Sequence, residues 1–328
     1  MLKKSIFIFV QYSSCFGKLF AIKIIICKII SILIRKNIIT NKKIKHNFYQ
    51  TKYKIIEDKI LQKYNYILNK FNADKAVIDS NPNNGPVWFC WLQGIEKMPP
   101  IQQICYERLK NITNNIHFIT MDNIPHYIKL PSYIYEKFKK GQISPANFSD
   151  IIRVNLLSTY GGIWCDSRIF FKDNIINQLF KKNFYTIKIN KNSNQFVSEY
   201  RWTVGFLCSN KSCILFKVIS DFFNEYWKNE SITIDYFLLD HIINIACKKN
   251  KEINNLFKKI EFNNSSAFSI PENLSSKADE TIWKSIFNDN TSLYVIPAKG
   301  VNTSPKEYTQ KGDITYFHLL LNEIKAIS

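Results

Sequence analysis

Over residues 1 to about 80, apolar runs and lysines recur at helical spacing with few turn residues, which predicts a basic, helical N-terminal extension. Its greasiest part, "LFAIKIIICKIISILI" (Leu19 to Ile34), is interrupted by Lys23 and Lys28. It is also shorter than the roughly 18 to 20 apolar residues of a spanning helix. Two readings stay open for it: a helix packed on the rest of the chain, or a basic-flanked helix lying on a membrane surface. "SIFIFV" is too short an apolar core for a secretory leader, and no small-residue cleavage site follows. The turn-rich "DSNPNNG" (Asp79 to Gly85) then predicts a boundary between the extension, residues 1–80, and a main domain over residues 85–328.

Beyond the boundary the period changes. "PVWFCWLQG" (Pro86 to Gly94) is a buried strand closed by glycine; "MPPIQQICYERLKN" opens on prolines as a helix does; "NIHFIT" (Asn115 to Thr120) is a second strand. Strand, helix, strand begins a parallel α/β sheet, so the expected class is α/β: a mostly parallel central sheet flanked by helices. Further along, "FYTIKI", "RWTVGFLCS" and "SLYVIPA" have strand character, and "CILFKVISDFFNEYWKN" and "IDYFLLDHIINIACKK" have helical periodicity. Ser144 and Pro145 start a helix that runs to Gly161 and Gly162. "IWCDSRIFF" after it reads as one strand of period two, with Trp164, Asp166, Arg168 and Phe170 on one face.

A hydrophobic share of 46% excludes a mainly disordered chain. The net charge of +19 invites a nucleic-acid or anionic-membrane reading, yet a chain rich in Lys, Ile and Asn throughout acquires such a charge from composition alone. The lysines are spread along the sequence and no nucleic-acid-binding module is recognisable, so a nucleic-acid partner is not expected. Eight cysteines without a C-x-x-C pair, mostly inside apolar runs, argue against a disulfide scaffold or a structural zinc and for a reducing, cytosolic setting.

The informative stretch is "FSDIIRVNLLSTYGGIWCDSR" (Phe148 to Arg168). Asp150 and Arg153 lie three apart on a helix that is apolar nearly all round, and Asp166 and Arg168 follow two glycines in the next strand. An isolated Asp–Arg pair on a buried helix signifies little. A second charged pair at a strand end of an α/β sheet is different, because ligands bind there: carboxylates accept from sugar hydroxyls and a guanidinium fork matches phosphate.

These pieces resemble the bacterial capsular polysaccharide synthesis proteins, which go with the D-x-D sugar transferases related to fungal mannosyltransferases and the clostridial glucosylating toxins. The likeness rests on "WLQG" (Trp91 to Gly94), on "KFKKGQISPANFSDIIRVNLLSTYGGIWCDSRIF", and on "EYWKNESITIDYFLLDHIINIA" (Glu225 to Ala246). The resemblance implies a GT-A-like fold and a retaining glycosyltransferase. It would move a hexose or N-acetylhexosamine from a nucleotide sugar, a UDP-sugar above all, to a capsular or surface glycan acceptor. By motif position, Trp91 would stack on the base with Gln93 and Gly94 lining its pocket. Asp150 and Arg153 would hold the donor's hydroxyls, and Asp166 the ribose and sugar. Asp235 would line the sugar and acceptor site, Gly161 and Gly162 would shape the donor site, and His318 would reach the phosphates. Asp240 and His241 are left as surface or supporting residues.

Where the family's second aspartate would ligate Mn²⁺ or Mg²⁺, this chain has Arg168, which has no lone pair to offer. Either Arg168 neutralises the leaving diphosphate, or it turns aside and Asp166 holds a metal with a later ligand. The expected location is the cytoplasm, at the inner face of the membrane if the N-terminal helix touches it. The other functional reading is a catalytically inert, membrane-associated subunit of a capsule assembly machinery.

Overall fold

A computed structural model describes residues 2–72, 85–297 and 305–327, apart from Asn192, Asn194, Ser212 and Asn288. Three helices come first: α1 (Leu2–Phe16), α2 (Lys18–Arg35) and α3 (Lys42–Leu68), the last capped by Asn41, whose side chain accepts from Lys43 and Ile44 backbone N–H groups. The predicted boundary at Asp79–Gly85 lies outside the described residues but for Gly85. Among the described residues no helix is long and apolar enough to cross a membrane.

The central sheet has five strands in the order β2-β1-β3-β6-β5. They are β1 (Val87–Cys90), β2 (Ile116–Ile119), β3 (Gly162–Cys165), β5 (Phe184–Thr186) and β6 (Phe206–Ser209). β1 runs parallel to β2 and β3, whereas β6 is antiparallel to both of its neighbours, so four strands point one way and β6 the other. The sheet is therefore mostly parallel, as the alternation of strand and helix predicts. The connecting helices are α4 (Pro100–Ile112), the short α5 (Ile124–Tyr127), α6 (Ser132–Lys139), α7 (Pro145–Tyr160) and α8 (Ile176–Phe180). Then come α9 (Ile214–Asn229), α10 (Leu238–Lys249), α11 (Lys251–Lys259) and α12 (Glu280–Phe287), with a C-terminal helix over Tyr316–Ile327.

One face of the sheet, with Trp88, Trp164 and Leu207, packs on α7, α9 and α10, and this cluster also takes in Phe16, Phe20 and Ile24 from the N-terminal helices and Ile56 and Ile60 from α3. Tyr12 reaches further, its hydroxyl donating to the carbonyls of Thr233 and Ile234 at 3.3 and 3.2 Å. The opposite face, with Val87, Phe89, Ile163 and Phe206, forms a second cluster. Six of the eight cysteines are buried, as expected of small hydrophobes.

The predicted single strand "IWCDSRIFF" is two strands. β3 ends at Cys165; Ile169 N–H then donates to the Asp166 carbonyl at 2.9 Å, closing a turn, and β4 (Ile169–Phe171) pairs with β7 (Leu293–Val295) in a separate two-stranded sheet. Trp164 and Phe170 consequently sit in different clusters rather than on one face. The physical reason is the charged segment between them: Asp166 and Arg168 cannot continue a fully buried ladder, and the turn leaves both beside open space.

Candidate functional site

The carboxyl ends of β1 and β3 lie side by side, and the loops that leave them, with the N-terminal half of α7, open a cleft of about 590 Å³. Trp91, Gln93, Asp150, Arg153, Asp166 and Arg168 all line it. α7 is delivered there by its start: Ser144 accepts from Asn147 N–H at 3.2 Å and Pro145 occupies the first turn, so Asp150 and Arg153 fall in the second and third turns.

Arg153 holds three elements together. Its Nη1 donates to Asp150 Oδ1 at 2.7 Å and its Nη2 to Asp166 Oδ1 at 2.8 Å, while the guanidinium lies 5.0 Å over the Trp164 ring. Trp164 Nε1 donates to the same Asp166 oxygen at 2.6 Å. The Arg153 side chain is 4% exposed but that of Asp166 is 31% exposed, so the triad is anchored inside and presents a carboxylate outward. Asp166 Oδ2 takes no hydrogen bond among the described residues, and it lies against Gly205, where a Cβ would stand 2.7 Å from it. Burial pushes Asp150 up to about 7 despite Arg153, with Asp166 and Asp240 adding to the rise. Burial opposes the Arg153 charge, yet Asp166 and Asp150 together outweigh it and raise the guanidinium above its ordinary value. Two acids thus share one cation, which leaves carboxylate oxygens on this wall as acceptors for neutral hydroxyl groups.

Arg168, in the turn after β3, donates from Nη1 to the Ile296 carbonyl at 2.7 Å and still lines the cleft. Trp91 follows β1, half-buried, its Nε1 donating to the Lys97 carbonyl at 3.3 Å. Gly94 does not line the cleft. Gly161 and Gly162 are also outside it. At Gly162 a Cβ would meet Pro86 O at 2.1 Å with φ at +95°, so this glycine serves the approach of β3 to β1.

The acid expected on the acceptor side is placed differently. α10 begins at Leu238, after Asp235, and the intervening Tyr236 is 69% exposed. Asp235 is not among the cleft-lining residues; it pairs with Lys52 of α3 at 3.0 Å and lies 3.6 Å from His241 Nε2. Burial would raise Asp235, but His241 and Lys52 hold it well below the usual carboxylate range. Asp240, left as a surface or supporting residue, is not at the surface: it is buried in the cleft wall, where it accepts from Trp202 Nε1 at 2.8 Å and burial pushes it up to about 6. His241 is wholly buried and touches Glu57 at 3.4 Å as well as Asp235; burial works against its charge, but the two carboxylates raise its pKa overall. His318 lies outside the cleft lining, with Nδ1 3.0 Å from Glu307 Oε2 and its ring against Tyr308.

A loop over residues 195–201 forms another wall. Glu199 and Tyr200 both take left-handed backbone, at φ 47° and 59°, a strain that persists where surroundings over-determine it. Those surroundings include α3: Tyr53 donates to the Gln195 carbonyl at 2.5 Å and Gln50 to Glu199 at 2.6 Å. Arg201 completes the clamp, donating to Asn244 of α10 at 2.8 Å.

The family model described as capsular polysaccharide synthesis protein matches residues 35–311, most of the chain and all of the cleft. The chain belongs to that family. No curated protein and no solved structure matches it. The match ties this family member to capsule biosynthesis and takes in α3 with the sheet, in line with the clamp α3 places on the cleft loop. Asp240 and Gly205 are among the cleft residues that sequence reasoning gave no ligand-binding role. Asp240, left as a surface or supporting residue, did carry a signal, an acid inside an apolar helix; Gly205 carried none.

Proposed function

We propose that this capsule synthesis protein is a retaining glycosyltransferase with a GT-A-like fold and a variant D-x-D motif. It takes a hexose or N-acetylhexosamine from a UDP-sugar and places it on a capsular glycan acceptor. The observation that carries the reading is the Asp166 carboxylate. Arg153 and Trp164 fix one of its oxygens, and the other faces an open cleft at the carboxyl end of β3.

In this reading the base stacks on Trp91, and sugar hydroxyls donate to Asp166 and Asp150, as paired carboxylates in a partly desolvated wall favour. The bond from the anomeric carbon to the diphosphate oxygen breaks with its electrons going to the diphosphate. An acceptor hydroxyl oxygen bonds to the oxocarbenium-like carbon and gives its proton to the departing diphosphate oxygen. The leaving diphosphate needs positive charge in place before it departs. Arg168, held by one N–H to Ile296 and lining the cleft, supplies it. A divalent ion beside a diphosphate needs only one or two carboxylates; Asp166 is the acid that would hold it here, Arg168 standing where a second would, and no step is routed through it.

A panel of UDP-sugars in a thermal-shift assay, each with Mn²⁺ and with chelator, tests this together with donor hydrolysis by Asp166→Ala. The expected result is a raised Tm with at least one UDP-sugar, retained in chelator, and loss of hydrolysis in a variant that still melts cooperatively. Hydrolysis unchanged in Asp166→Ala, or no stabilisation by any nucleotide sugar, would overturn the assignment.

A further inference from the structure

The basic residues are dispersed along the chain, but the acids are not. Residues 1–56 hold 12 of the 45 Lys and Arg and none of the 26 Asp and Glu; the remaining 272 residues carry 33 against 26. About a sixth of the chain therefore supplies +12 of the net +19.

The same segment carries an apolar face with no partner in the fold. α2 buries Phe20, Ala21, Ile24 and Cys27 against its neighbours. On the opposite side Leu19, Ile22, Ile26 and Ile29 form a row at spacings of three and four, with exposures from 47% at Ile22 to 72% at Leu19. Ile6 and Val10 of α1 are exposed as well, at 55% and 58%. Lys18, Lys23 and Lys36, all exposed, fringe the row. A surface helix of a globular protein normally turns its polar side outward, so an aliphatic ridge with a lysine border marks a contact site.

From this we infer that the α1–α2 pair is a docking surface for an anionic phospholipid bilayer, with the isoleucine row entering the headgroup boundary and the lysines meeting lipid phosphates. Charge selects this occupant over a second copy of the chain. A two-fold contact through the ridge would bring lysine fringe against lysine fringe, with no carboxylate in residues 1–56 to pair with either. α1 and most of α2 precede the residues matched by the family, so the surface lies outside the matched region. It is attached firmly enough to bear load: Tyr12 bonds to the 233–234 backbone and Lys63 of α3 donates to the Cys15 carbonyl at 2.7 Å.

Vesicle co-sedimentation of the full chain tests the inference. Vesicles of phosphatidylcholine with about a third phosphatidylglycerol bind it at least about tenfold more tightly than phosphatidylcholine alone. Ile22→Ser, Ile26→Ser and Ile29→Ser combined lose about tenfold or more on the anionic vesicles at an unchanged Tm, because the three side chains are about half exposed. Lys18→Glu with Lys23→Glu weakens binding by more than about fivefold. The inference fails if the wild type does not sediment with anionic vesicles, or if neutral vesicles bind it equally. It also fails if either set of substitutions leaves binding intact, or if analytical ultracentrifugation without lipid finds a dimer that the serine variant dissolves.

Discussion

Gly205→Ala is the sharpest probe of the cleft, because it displaces Asp166 without replacing a titratable group. A Cβ at this position stands 2.7 Å from Asp166 Oδ2 and 3.2 Å from its Cγ, about 0.7 Å short of ordinary contact. Gly205 itself has little freedom to retreat, since its carbonyl accepts from Asp166 N–H at 2.8 Å and the next residue enters β6. The carboxylate must therefore move. Its other oxygen is held at 2.6 Å by Trp164 and 2.8 Å by Arg153, so a shift of that size stretches one of these bonds to its limit. A hydrogen bond to a charged group contributes about 1.5–3 kcal/mol, and a reacting group misplaced by about 1 Å costs up to about 100-fold. The expected outcome is a fall of about 10- to 100-fold in kcat/KM for hydrolysis of the UDP-sugar that best stabilises the protein, with a Tm within a few degrees of wild type. Wild-type kcat/KM in a folded Gly205→Ala variant would refute the claim that Asp166 works from the position described.

Gly162→Ala is expected to lower stability by at least about 3 kcal/mol, a Tm drop of roughly 5–10 °C by calorimetry, because its Cβ would meet Pro86 O at 2.1 Å in left-handed backbone. Asp240→Asn is expected to stabilise in a pH-dependent way. The native acid is raised from 3.8 to about 6, so folding is penalised once it ionises: nothing below pH 4, growing through pH 6, and constant above, up to about 3 kcal/mol. Asparagine keeps an acceptor for Trp202 and lacks the charge, so chemical denaturation at pH 8 reads a gain that vanishes near pH 4. Equal effects at both pH values would show that the charge is not the cause.

Much of the cleft was legible before any coordinates. The Ser144–Pro145 start and the Gly161–Gly162 stop bracket α7, and a spacing of three puts Asp150 and Arg153 on one side of it. A strand directly after the glycines brings Asp166 to the same end, and Arg153 joins the two acids as the charge pattern suggested. The break at Asp166–Arg168 was not legible, because an alternation of apolar and charged residues looks like a continuing strand until β7, more than a hundred residues away, claims β4. Asp235 was likewise misplaced by assuming that α10 begins where its apolar periodicity does.

By itself, then, the sequence determined what local rules govern: the helices and their caps, the strands of the sheet, and a buried helix whose charges require partners. Which partners they take was decided by the tertiary structure. β6 inserts antiparallel beside β3 and sets Gly205 under the Asp166 carboxylate, while α3 packs across to draw Asp235 away through Lys52 and to brace the 195–201 loop. Such pairings follow from how separate apolar faces share one core, and that information is spread over the whole chain rather than carried by any segment.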